Sequence, residues 1–230
     1  MAACYPDINM ESKAKIAFDE NCKDIERLLE FHQWVGGEER GRRYGLEVLN
    51  KSAVILLCSF WEAYCEDIAA EGISHLVEYA SSAQDLSDDI KKKVAKDIKG
   101  ENNELAVWFL ADDDWRAYLN QRLEKLKIER NRVLNTPNTK NINDFFNKAL
   151  GIEQISQRWY WRKMSKENST RKLDEFIALR GTIAHRGKLD DNSVKKEQVI
   201  AFLKHIQTLV AKIDREVFDT VTRSTGREHW

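Results

Sequence analysis

The chain has 230 residues, with 37 basic and 38 acidic side chains giving a net charge of −1. That length can bury a substantial core, and the balanced charge excludes a generic polyanion binder, so any nucleic-acid surface has to be local. The four cysteines, Cys4, Cys22, Cys58 and Cys65, form no C-x-x-C pair and stand near no histidine at zinc spacing, so free thiols are expected.

Two prolines and ten glycines are few, which predicts short loops and long helices. No segment reads as a strand. Apolar residues recur at three- and four-residue steps almost throughout, the period of an amphipathic helix. A first helix is predicted from about Ile8 to Trp34, broken by Gly36-Gly37. A second runs from before Leu46 to about Ala80. Its middle, Ala53 to Ile68, is apolar nearly all round, as expected of the central helix of a bundle. The more polar stretch 81–150 reads as an insertion or as peripheral helices, with pieces at Asp88–Lys99, Glu104–Leu110, Asp114–Ile128 and Asn143–Leu150. Asn131–Asn143, with Pro137 and five asparagines, reads as a loop. Helices from Ser169 to His185 and from Ser193 to Thr222 follow. The first carries Leu173, Phe176, Ile177, Arg180 and Ala184 on one stripe, and the second has the cleanest apolar seam in the chain. The predicted fold is all-α, a single domain over 1–230 built as an antiparallel helical bundle with a helical insertion.

The start of the chain, MAACYPDINMESK, has no basic segment leading into an apolar one, and the longest apolar stretch, AVILLCSFW at 53–61, is too short to cross a bilayer. A cytoplasmic protein with no membrane partner is expected. No phosphate-binding loop, H-E-x-x-H pair or paired Glu-x-x-His motif is present, so neither a metal nor a cofactor is expected. The run Asp112-Asp113-Asp114 precedes a helix, where carboxylates cap free N–H groups and suit the dipole.

Three places hold chemistry-bearing residues. In QRWYWRKMSKENSTRK (157–172), Trp159 and its aromatic neighbours alternate with Arg158, Arg162 and Lys163. Cations beside flat rings are what single-stranded RNA binding uses; equally, the rings can fill a core or dimer seam while the cations stay solvated. Glu62 sits in the most apolar turn of the second helix. A buried carboxylate needs a partner, for which Arg180 is one candidate, unless Glu62 faces solvent. Last, LRGTIAHRG (179–187) sets Arg180 and His185 five positions apart with Gly181 between them. That spacing puts the two on different faces of a straight helix. Gly187 is placed to cap the helix, leaving His185 in the last turn. A histidine that moves protons beside an arginine that holds a phosphate suits RNA cleavage. A capping histidine and a salt-bridged arginine fit the same letters.

The R-x4-H pattern at the end of a late helix, LDEFIALRGTIAHRGK (173–188), together with LNKSAVILLCSFWEAYCEDIA (49–69), resembles the HEPN superfamily of endoribonucleases, in its RiboL-PSP-HEPN-like branch. The resemblance covers roughly 46–80 and 165–222. It implies a homodimer whose two R-x4-H helices form one RNA-cleaving cleft, with Arg180 and His185 as the catalytic pair. It also implies metal-independent cleavage, in which the ribose 2′-hydroxyl attacks the adjacent phosphate. The usual setting is bacterial toxin–antitoxin or phage-defence systems, so an antitoxin or defence partner protein is implied. Arg186 joins Arg158, Trp159, Arg162 and Lys163 as expected RNA contacts, and Glu62 and Gly181 are expected to support the site. Two positions depart from the family pattern. Active members often carry asparagine or aspartate after the arginine, where this chain has Gly181. Some toxins carry a modifiable tyrosine two residues after the histidine, where this chain has Gly187. Gly181 favours the alternative expectation, a catalytically silent module that binds RNA or a partner protein.

Overall fold

The computed structural model describes residues 11–36, 46–100, 105, 108, 114–128, 134, 136–186, 194–228 and 230. Among them are seven α-helices: α1 (Lys13–Gly36), α2 (Glu47–Tyr79), α3 (Asp88–Lys99), α4 (Asp114–Ile128), α5 (Thr139–Leu150), α6 (Lys166–Arg186) and α7 (Lys196–Thr225). The described residues contain no strand, only an isolated bridge between Trp161 and Met164. The fold is all-α, a helical bundle, as the periodicity predicts.

Helix α2 is the axis of the molecule. Its Ala53, Val54, Leu57, Trp61, Cys65, Ile68 and Ala69 are completely or almost completely buried, because α1, α4, α5, α6 and α7 all pack on it. A helix apolar all round is stable only when neighbours cover every side. Buried polar groups on α2 find specific partners: the Trp61 indole N–H donates to the Pro137 carbonyl at 3.0 Å, and the Tyr64 hydroxyl donates to the Val210 carbonyl at 3.0 Å. At its start, the Asn50 amide donates to the Val194 carbonyl at 2.8 Å, tying α2 to the residues that lead into α7.

The caps explain where helices begin and end. Ser87 accepts the Ile90 N–H at the start of α3, which has Asp88 and Asp89 in its first turn and Lys96 and Lys99 in its last, the charge order a helix dipole favours. Helix α5 begins at Thr139, inside the stretch expected to be loop. Asn138 accepts the Asn141 N–H at 2.9 Å, so an asparagine read as a coil marker acts as a helix cap. Helix α1 starts at Lys13 and borrows its cap from another helix: Glu71 of α2 accepts the N–H groups of Lys13 and Ala14 at 3.2 and 2.6 Å. Asp114 opens α4, in keeping with the capping reading, while Asp112 and Asp113 lie outside the described residues. So do Cys4, Gly187 and most of the piece expected over 104–110.

The middle region contributes to the same apolar core as the rest. Trp115 and Leu119 of α4 and Ile142, Phe145 and Phe146 of α5 are buried in one cluster with the α2 and α7 side chains.

Candidate active site

Helix α6 carries both Arg180 and His185. Five residues of α-helix separate two side chains by about 140° around the axis and about 7.5 Å along it. Burial follows that division: Leu173, Phe176, Ile177 and Ile183 are buried, Arg180 is half-buried and His185 is exposed. Ala184, assigned to the apolar stripe by spacing, is exposed, because the seam turns through Ile183 at the end of the helix.

Arg180 faces α2. Its Nε is covered and has no hydrogen-bond partner. Its charge acts on two α2 groups one turn apart, Cys58 and Glu62. Burial pushes the Cys58 thiol up to about 12, with Arg180 opposing and Glu62 adding to the rise. Cys58 is thus a protonated, unreactive thiol. Burial and repulsion from Glu66 raise the Glu62 carboxyl, and Arg180 pulls it back. Glu62 is half-buried and within the electrostatic reach of Arg180, which is neither the paired nor the fully solvated position that the sequence offers for it. No ion pair joins the two among the described residues, so the guanidinium is held near α2 without being consumed by a carboxylate.

His185 lies in the last turn of α6, exposed to solvent. Gly181, one turn earlier and about 40° away around the axis, opens on the same side. A Cβ at Gly181 would meet nothing within 4 Å. Close approach by this chain is thus not what glycine serves there. The Arg186 side chain lies outside the described residues.

The aromatic and basic run divides. Trp159 is fully buried, its ring 6.3 Å from that of Trp61. That corrects the expectation that it stacks on RNA: the indole is part of the core. Trp161 packs against His205 with ring centroids 5.5 Å apart, while Tyr160 is exposed. The cause is a tight turn, in which Trp161 and Met164 exchange backbone hydrogen bonds of 3.1 and 2.9 Å. The turn sends successive rings to different sides and lifts Arg162 and Lys163 to an exposed tip, with Lys163 at φ 66°. Arg158 pairs with Glu216 of α7 at 2.9 Å. All of this lies at the start of α6. Lys166 and His185 are about 28 Å apart along the helix axis, so one chain does not bring the run and the Arg180–His185 pair together.

Among the described residues no group of three or more His, Cys, Asp or Glu side chains is arranged to hold a metal ion, and no helix is long and apolar enough to cross a membrane.

A late helix thus carries a half-buried arginine and an exposed histidine and packs on the central helix of an all-α bundle. A sequence model of RiboL-PSP-HEPN matches residues 19–219, and the chain belongs to that family. The match runs through 81–150 as well as the stretches that carry the resemblance. HEPN domains serve as ribonucleases or RNA-binding modules and often dimerise. Comparison with curated proteins and with solved structures returns no match.

Proposed function

We propose that this protein is a metal-independent endoribonuclease in which Arg180 and His185 act on the scissile phosphate at a cleft shared by two copies of the chain. The observation that carries the reading is Arg180: a half-buried arginine beside Glu62 that forms no ion pair among the described residues. A structural arginine in a core is expected to be paired, because an unpaired buried charge is costly. An anion-binding arginine keeps its donors available.

The chemistry follows from the two side chains. The ribose 2′-oxygen attacks the neighbouring phosphorus, and the P–O5′ bond breaks. The products are a 2′,3′-cyclic phosphate and a 5′-hydroxyl. The 2′-hydroxyl proton has to leave and the departing 5′-oxygen has to gain one, and an imidazole can do either. Extra negative charge gathers on the non-bridging oxygens in the transition state, where a guanidinium stabilises it. The divergence of Arg180 and His185 around α6 supports a shared cleft, since a second copy can supply the group that one helix turns away. An antitoxin or other defence partner belongs to the same reading.

Purified protein is expected to cleave single-stranded RNA in EDTA, and His185→Ala is expected to lose that cleavage while remaining folded. Equal cleavage by the two proteins would remove His185 from the mechanism. A second reading, a silent module that binds RNA or a partner protein, is favoured by Gly181, which offers no polar side chain beside the arginine. RNA binding without cleavage over a broad substrate panel would select it.

A further inference from the structure

Helix α7 turns an open groove to solvent far from His185. It has a volume of about 500 Å³ and is lined by Arg158, Tyr160, Lys212, Arg215, Glu216, Asp219, Thr222 and Arg223. Four cations thus face two carboxylates. Both carboxylates are engaged: Glu216 with Arg158 at 2.9 Å and Arg223 at 3.9 Å, and Asp219 with Arg215 at 3.0 Å. Lys212 is different. Its ammonium stands 5.6 Å from the centre of the Tyr160 ring and forms no ion pair among the described residues. Tyr160 is more than half exposed, in a chain that buries Trp159 beside it.

We propose that this groove is a second RNA contact, which takes a single strand by stacking an unpaired base on Tyr160 and by holding phosphates with Lys212 and Arg223. The groove combines the two parts that single-strand recognition requires, a flat exposed ring and surplus positive charge along a track. The track from Lys212 to Arg223 is about 16 Å of helix, room for a short stretch of strand. A duplex offers phosphates but no free base face, so the ring favours a single strand. The inference rests on the RNA reading of the family, and it does not depend on His185 being catalytic.

The test uses the full chain carrying His185→Ala, so that a labelled single-stranded RNA of about ten nucleotides stays intact. Binding is measured by fluorescence anisotropy at several salt concentrations, with thermal melts confirming that each variant is folded. Tyr160→Ala is expected to weaken binding about 10-fold, the usual scale for losing one stacked base. Lys212→Gln with Arg223→Gln is expected to weaken it further and to flatten the salt dependence by about 1.4 in slope, at about 0.7 per single-strand phosphate released. A duplex of the same length is expected to bind more weakly and to ignore Tyr160→Ala. Unchanged binding in both variants would overturn the groove, as would equal losses for duplex and single strand or no RNA binding at all. Cleavage by the wild type with unchanged groove-variant binding would leave the catalytic reading standing and the groove lost. Weakened groove-variant binding with no wild-type cleavage would do the reverse.

Discussion

Arg180 and His185 share a helix without sharing a face, and Gly181 sits with the histidine on the open side. In a helix interior glycine costs about 1 kcal/mol relative to alanine. Here a methyl group would meet nothing of this chain within 4 Å. Gly181→Ala is therefore expected to stabilise the isolated chain by about 0.5–1 kcal/mol, a rise of roughly 1–4 °C in Tm for a chain of this size, read by differential scanning calorimetry. If RNA or a second copy packs on that face, the same methyl lowers cleavage or association. A variant that is stabler and equally active would show that the face is unused. The motif itself was legible in the sequence. The surroundings of Arg180 were not, since Cys58 and Glu62 reach it only once α2 and α6 pack together.

Helix ends and crossings decide where the site stands. Gly151 ends α5 at φ 68°, and a Cβ there would lie 2.7 Å from the Ile90 backbone nitrogen of α3. Gly151→Ala combines left-handed strain with a backbone clash, so a loss of at least about 1–3 kcal/mol is expected in denaturant titration. No loss would mean that α3 can move away from α5 at no cost. His205 of α7 is buried and its ring N–H donates to the Ser169 carbonyl of α6 at 3.1 Å. Burial, helped by the Lys172 charge and opposed by the Ser169 contact, brings its pKa down from 6.5 to about 4. As pH falls below 6.5 the unfolded chain takes up a proton that the folded chain refuses until about 4. The stability present above 6.5 is thus lost across that window, on the order of 3 kcal/mol. His205→Gln keeps a donor and is expected to flatten stability between pH 6.5 and 4; an unchanged profile would clear His205 of the effect. Sequence periodicity located these helices well, within a few residues at most ends. It missed the first turn of α5 because Asn138 caps a helix in a stretch whose composition reads as coil. It also could not assign the three aromatics of 159–161 to their sides, since the Trp161–Met164 turn breaks any helical or strand period.

At the scale of the whole molecule, the nearly all-round apolar segment of α2 announced the architecture, because a bundle is what covers most sides of such a helix; Leu56 and Ser59 mark the side left open. What the sequence could not place was the basic groove. Lys212, Arg215 and Arg223 form part of the polar face of α7, and nothing local tells that Arg158 and Tyr160 return to meet them. The proposed cleft and the proposed groove lie about one α6 length apart, and the cleft needs a second copy. A dimer is therefore expected by light scattering at micromolar concentration, and a strict monomer there would break the shared-cleft geometry. The most direct measurement is the chemistry of the cut ends after incubation of single-stranded RNA with the protein in EDTA. The proposed mechanism yields fragments with a 2′,3′-cyclic phosphate on one side and a 5′-hydroxyl on the other, formed by the wild type and absent with His185→Ala or Arg180→Ala. Fragments bearing a 5′-phosphate, or the same cyclic ends from either variant, would contradict it.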